Sequence, residues 1–397
     1  MTMTEFPQLS RLVYGKRLVY LDNAATSLRP ASVIDRWNQI SSSSTANLHR
    51  AVHAVASEAT EAYESARDAV KEFINAASRD EVVFTSGTTH SINLVARSYG
   101  DVFLNEGDEI IVSEADHHSN IVPWQMLCKR KGCVLKVLPV DDDGRLCTGL
   151  LPSLISARTK LVCVPHVSNV LGLVNPVKEI AAVCHRFGCL LLVDGAQGIV
   201  HCEVDVQALG CDFYAFSGHK MYCATGTGVL WARKELLDKM EPMFGGGEMI
   251  DTVSWESTTY APAPRKFEAG TQDISSVPCF REAIEVRREL KEDPRVFSLV
   301  YEFLRSEPGI RLFGIPDGAN PKVPLFSFCV EGAHHEDLAL ILDKMGIAVR
   351  SGQMCAEPLM NRFGVTGMLR ASFAPYNSVE DAEYFVTSLR KAIRMLK

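Results

Sequence analysis

Four short segments of the chain place reactive side chains where an apolar run ends. In FYAFSGHKMY (213–222), Lys220 follows Ser217, Gly218 and His219 at the end of an aromatic strand-like run and precedes the glycine-rich CATGTG. A lysine near a buried strand end has a lowered pKa and can act as a Schiff-base nucleophile. In CLLLVDGAQ (189–197), Asp194 closes a wholly apolar run; a carboxylate there is either a helix N-cap or the counter-charge of a cation. In EVVFTSGTTH (81–90), Gly87, Thr88 and Thr89 open a helix. Its free N–H groups and hydroxyls would cradle a phosphate, and a Thr N-cap on an ordinary helix is the other reading. After IIVSEAD (110–116) come His117 and His118, either a ring pair at a strand end or two solvated histidines.

Taken together, the four segments describe one cofactor. A phosphate cradle, a ring to stack on another ring, a carboxylate for a pyridinium nitrogen and a lysine to form an imine are the requirements of pyridoxal phosphate. The pattern GxxxxGK[ST] is absent, so the glycine turn is not a P-loop. Cys355, in RSGQMCA (350–356), adds a fifth candidate. A cysteine is ordinarily a small core hydrophobe, but this one follows a strand in a turn-like segment near Arg350, where a thiolate would be stabilised and reachable.

The elements that must position these groups follow from periodicity. Short Val- and Ile-rich runs, apolar on both faces, alternate with amphipathic helical stretches from about residue 60 onward. That pattern predicts an α/β fold built on a mainly parallel sheet covered on both sides. Ligands of such sheets sit outside the carboxyl ends of the strands, which is where the candidates lie. Residues 245–275 lose periodicity and read as a functional connection. Beyond them, a charged helix through FREAIEVRRELKEDPRVFSLVYEFLRS, the strand VPLFSFCVE, the helix EDLALILDKMG, an edge strand IAVRS and a last helix predict a smaller α+β domain. The division expected is a large domain over 18–265 and a small one over 1–17 and 266–397.

Composition narrows the function. The chain has 397 residues, 47% apolar and 22% charged, with a net charge of −7 and no clustered Lys/Arg run. Neither nucleic acid nor an anionic membrane surface is an expected partner. The first twenty residues lack an apolar h-region and no apolar run is long enough to span a bilayer, so a cytoplasmic protein is expected. Twelve scattered cysteines without a Cys-x-x-Cys pair read as reduced thiols. No metal is expected: HExxH is absent, and Cys329 with His334 and His335 lacks a matching second half.

The stretches YLDNAATSLRP (20–30), NLHRAVHAVASEATEAYE (47–64), FTSGTTHSINLVA (84–96), DHHSNIVPWQ (116–125), HVSNVLGLVNP (166–176), VDGAQG (193–198), SGHKMY (217–222), RKFEAGT (265–271) and RSGQMCAEPLM (350–360) closely resemble the cysteine desulfurases of the SufS/CsdA type, in the class V aminotransferase family. The resemblance covers nearly the whole chain and implies the pyridoxal-phosphate fold type I, with a seven-stranded sheet in the large domain. It makes Lys220 the cofactor-linked lysine, Asp194 the pyridinium partner and His117 the stacking ring. Gln197 would bond the phenolic oxygen and Asn169 would lie beside ring and substrate. Thr88, Thr89, Ser217 and His219 become phosphate ligands, and Thr271 would reach the phosphate of the neighbouring subunit in a homodimer. Arg370 becomes the clamp for the substrate carboxylate, with Arg350 the second substrate-binding arginine of that region.

The reaction implied is conversion of L-cysteine to L-alanine with a persulfide formed on Cys355, the sulfur passing to a SufE-like acceptor or an iron–sulfur assembly scaffold. A selenocysteine lyase or a cysteine-sulfinate desulfinase would share the cofactor residues without needing Cys355. Three positions depart from the family pattern. Cys223-Ala224 replaces the common Gly-Pro and would put a second thiol near the cofactor, Met354 stands where a histidine often precedes the nucleophile, and Asp116 replaces a glutamate.

Overall fold

The computed structural model describes residues 5–49 and 52–396; Arg50 and Ala51, within the 47–64 stretch, lie outside the described residues. Its centre is a seven-stranded sheet in the order Val82–Thr85, Gly228–Ala232, Phe213–Ser217, Leu190–Asp194, Thr159–Pro165, Glu109–Ser113, Val134–Leu138. The last five of these pair in parallel. Gly228–Ala232 runs antiparallel to both its neighbours, because the segment that returns from Ser217 is too short for a crossover. Lys220 sits in that short return.

Alternation along the strands divides the core into two layers. Phe84, Ile111, Val162, Val164, Leu191, Val193 and Phe216 pack on one face with the helices Ala54–Phe73 and Val177–Arg186. Val83, Ile110, Val112, Leu161, Leu192 and Phe213 pack on the other with Thr88–Val95 and Val122–Lys131. The long helix Ala54–Phe73 is capped by His53, whose ring accepts from Ala56 N–H, and buries Ala56, Ala59, Tyr63, Ala66 and Val70 along one face. Arg67 of the same face is buried in a fork with Glu268 at 2.7 and 2.9 Å, and Glu268 Oε1 also accepts the Phe84 N–H at 2.8 Å.

A second sheet, Ile310–Phe313, Leu325–Val330, Met368–Ser372, Arg350–Gly352, is antiparallel throughout. Helices Pro294–Ser306, His335–Lys344 and Val379–Leu396 cover it. Val19 and Leu21 belong to this core, whereas Val277, Phe280 and Ile284 pack into the core of the large sheet.

Three local expectations change. The long charged helix is two, Phe280–Glu289 and Pro294–Ser306, since Pro294 cannot continue a helix and Asp293 caps the second by accepting from Arg295 N–H. IAVRS is not one edge strand: Ile347–Ala348 pairs in parallel with Val19–Tyr20, and Arg350–Gly352 joins the antiparallel sheet. The aperiodic 245–275 stretch contains an exposed hairpin, Ile250–Val253 with Thr258–Tyr260. Among the described residues no helix is long and apolar enough to cross a membrane.

Candidate active site

The strand ends converge on a cavity of about 300 Å³. Thr88, Thr89, His117, Asn169, Asp194, Gln197, Ser217, His219, Lys220, Arg350, Cys355 and Arg370 all line it. Thr271 is the one sequence-predicted residue that does not; it lines a separate cavity with Ser86, His90 and Glu268.

One end of the cavity is built for an anion. Gly87 has φ +145°, and a Cβ there would come within 3.2 Å of Ser217 Oγ. Only glycine combines that backbone with that closeness. The facing strand makes the same demand, for a Cβ on Gly228 would lie 2.4 Å from Gly87 Cα. The two turns are thereby pressed together: Thr88 N–H donates to Ser217 Oγ at 2.8 Å, and the Thr88 and Ser217 hydroxyls share a bond of 2.8 Å. Thr89 Oγ1 lies 2.7 Å from Ser119 Oγ, and His219 Nδ1 lies 3.2 Å from Thr26 Oγ1. Hydroxyls at a helix N-terminus, beside a ring nitrogen, suit a phosphate.

The charged groups lie deeper. Asp194 ends its strand buried, with Oδ1 accepting the Ala196 N–H at 2.9 Å. Burial pushes its pKa up and the Lys220 charge opposes the shift. Burial pulls Lys220 down, Asp194 opposing, and the Lys220 ammonium has no hydrogen-bond or ion-pair partner among the described residues. His117 is held at about 4 by burial and then by the nearby Lys220 charge, so its ring is neutral. Ser119 holds that ring: its N–H donates to Nδ1 at 3.1 Å and its Oγ lies 3.0 Å from Nδ1. Gln197 Nε2 donates to the Ala24 carbonyl at 2.7 Å.

The side facing the second sheet is a set of capped carbonyls. Arg370 Nη1 donates to Asn169 O at 2.7 Å, Ser327 Oγ to Val170 O at 2.5 Å and Lys322 Nζ to Leu171 O. Asn169 Nδ2 in turn donates to Met354 O at 2.9 Å. Cys355 is exposed while lining the cavity, and it and Met354 have φ of 55° and 50°. Cys223 is placed otherwise than expected. Its thiol is absent from the cavity and packs in the core against Thr227 Oγ1 at 3.9 Å and Ser276 O at 3.8 Å, with burial pushing it up to about 12.

Sequence reasoning missed Asp22 and Ser119. Asp22 forks onto Arg350, with Nε at 3.1 and 3.2 Å and Nη2 at 3.0 Å, and its Oδ1 also accepts from Arg370 Nη2 at 3.2 Å. The signal was present, since Asp22 follows the apolar LVYL as Asp194 follows CLLLV. Arg370 Nε is buried with no hydrogen-bond partner among the described residues. That orphaned donor, a buried carboxylate with one oxygen uncommitted, a partnerless lysine and a hydroxyl-lined glycine turn together fit pyridoxal phosphate and an amino acid carboxylate.

Comparison with known proteins agrees with this geometry. The profile of the family "Aminotransferase class-V" matches residues 19–385. A probable cysteine desulfurase of Halalkalibacterium halodurans is 44% identical over 97% of this chain and 96% of its own. A cysteine desulfurase of Cronobacter sakazakii is 43% identical over 99% of this chain and 98% of its own. The crystal structure of the Escherichia coli cysteine desulfurase CsdA, in an S-sulfonic acid form, superposes with a TM-score of 0.90 at 40% identity, covering 99% of this chain and 98% of that one. With matches of this extent in both sequence and fold, the chain belongs to the class-V aminotransferase family, alongside its cysteine desulfurases.

Proposed function

We propose that the chain converts L-cysteine to L-alanine and keeps the sulfur as a persulfide on Cys355. The observation that carries the reading is the exposed Cys355 lining the same cavity as Lys220 and Asp194. Lys220 would hold pyridoxal phosphate, with Asp194 at the ring nitrogen, His117 on the ring face, Gln197 at the phenolic oxygen and Thr88, Thr89, Ser217 and His219 at the phosphate. When bound, the cofactor supplies an electron sink for the bonds at the substrate's Cα.

The chain's own residues do the rest. Arg370, with Arg350, binds the substrate carboxylate, a task suited to a guanidinium fork, and Asn169 flanks the substrate. Lys220, once free, takes the Cα proton on Nζ; its burial lowers the cost of reaching the neutral amine that does so. The Cys355 thiolate then attacks the substrate sulfur. An S–S bond forms as the substrate's Cβ–S bond breaks, the electron pair stays with carbon, and protonation at Cβ together with return of a proton from Lys220 Nζ to Cα completes alanine. Cysteine plus the Cys355 thiol thus give alanine plus the persulfide, with no external oxidant.

An exposed Cys355 supports handing the sulfur to a SufE-like acceptor or an iron–sulfur assembly scaffold. The distance of Thr271 from this chain's own cavity supports a homodimer in which it serves the neighbouring subunit. The composition supports a cytoplasmic setting. Intact mass after addition of L-cysteine without reductant, with alanine assayed alongside, tests the reading. Wild type should gain one sulfur and release alanine, and Cys355→Ala should do neither. Alanine release unaffected by Cys355→Ala would favour the lyase or desulfinase chemistry, and no alanine from either protein would exclude cysteine as substrate.

A further inference from the structure

Arg350 and Arg370 are direct partners across neighbouring antiparallel strands. Two like charges at such positions repel, and Arg370 is almost fully buried, where an uncompensated guanidinium is costly. Asp22 is the group that makes the pair tenable. It holds Arg350 through three contacts and Arg370 through one. Its own placement is set by the backbone: residues at Leu21–Asn23 pair with Ser372 on the strand that carries Arg370, through Ser372 N–H to Leu21 O at 2.7 Å and a bridge from Asp22 to Ser372.

The arginines line the cavity and Asp22 does not. The carboxylate therefore stands behind the clamp, and Arg370 Nε has no hydrogen-bond partner among the described residues. Two guanidiniums and one carboxylate leave a net charge of +1, which a single incoming carboxylate neutralises. We propose that Asp22 is a positioning residue that aims the Arg350–Arg370 clamp and sets its charge to accept one monoanionic carboxylate. That the carboxylate is an amino acid's rests on the desulfurase reading.

Removing the Asp22 charge should leave a misaimed dicationic clamp, poorer for cysteine and better for a small dianion. The holoenzymes of wild type, Asp22→Asn and Asp22→Asn/Arg350→Gln would be compared by alanine release and by the rise in Tm that sulfate produces. Asp22→Asn should raise KM for L-cysteine by about tenfold or more while kcat stays within about threefold, the split of a binding defect. Its sulfate-induced rise in Tm should exceed that of wild type, and the double variant, again with net charge +1, should return toward the wild-type response. An unchanged KM with an unchanged sulfate response would overturn the proposal, as would a loss confined to kcat with no change toward sulfate. A wild type that releases no alanine would overturn the desulfurase reading instead, and the sulfate comparison would still decide the role of Asp22. Should Asp22→Asn not fold, Asp22→Glu keeps the charge but shifts the aim. It should then show a raised KM with the wild-type sulfate response, and an unchanged KM would overturn the proposal.

Discussion

The backbone N–H of His118 donates to the carbonyl of Cys355 at 2.8 Å, and the His118 ring accepts the Glu357 N–H through Nε2 at 3.1 Å. The loop that carries the exposed thiol is therefore fastened at Cys355 itself and again two residues beyond it to the segment that carries His117. Asn169 fastens it a third time through Met354 O. These bonds hold two successive non-glycine residues in left-handed backbone, a conformation that survives only when its surroundings impose it.

Replacing the His118 ring should loosen this loop without touching the cofactor residues. His118→Ala loses the bond to Glu357 and keeps the backbone bond to Cys355, so about 1 kcal/mol is at stake. Persulfide formation in a single turnover, followed by intact mass, should slow by about fivefold, with the visible absorbance of the bound cofactor unchanged. A rate equal to wild type would show that the ring bond does not hold the loop.

Cys223 should prove dispensable to the chemistry. Its thiol is buried away from the cavity and pushed up to about 12 by that burial. Desulfurase activity of Cys223→Gly or Cys223→Ala should remain within about threefold of wild type, and a loss beyond about tenfold, roughly 1.4 kcal/mol, would assign the thiol a role. Native alkylation mapped by peptide mass should label Cys355 well before Cys223.

Acid should unfold the protein through its neutral histidines. Burial holds His117, His166 and His219 at about 4, with the Lys220 charge assisting at His117 and His219. Histidine in the unfolded chain titrates near 6.5, so between those values the unfolded state binds more protons and stability rises with pH. Stability should be full above about 6.5 and be lost progressively toward 4. For the well-buried His166, whose Nδ1 lies 2.9 Å from Tyr214 Oη, the full contribution is roughly 3 kcal/mol. Urea unfolding of the wild type at several pH values should show this slope, and His166→Gln should flatten it; equal slopes would refute the assignment.

The Arg67–Glu268 pair should be the most sensitive ionic contact in the large unit. Both side chains are almost fully buried, and Glu268 also holds the Phe84 N–H on the strand that leads into Gly87. Glu268→Gln leaves the buried guanidinium with Glu64 alone, which holds Nε at 3.0 Å, and should cost about 2–3 kcal/mol, whereas replacing both partners by apolar residues should cost much less. Chemical denaturation of the single and double variants tests this, and a single-variant loss below about 1 kcal/mol would contradict it.

The sheet, its strand ends and most of the cavity lining were legible in the sequence because their signals are local. A run such as CLLLV is apolar on both faces wherever it stands, and an acid, a lysine or a glycine turn at its end can be read within ten residues. The split at Pro294 is equally local in origin, but the charged helical pattern runs on through both sides of it and masks the Asp293 cap. What only the tertiary structure decided was which distant groups meet. Asp22 came to hold Arg350 and Arg370 because a two-residue strand near the amino end lies along a sheet formed near the carboxyl end. Cys223 turned into the core because the direction of a side chain in a tight return depends on what packs over it. Periodicity records which face of an element is buried; it carries no record of the partner that buries it, so long-range charge pairing and thiol direction were settled only by the packing of the folded chain.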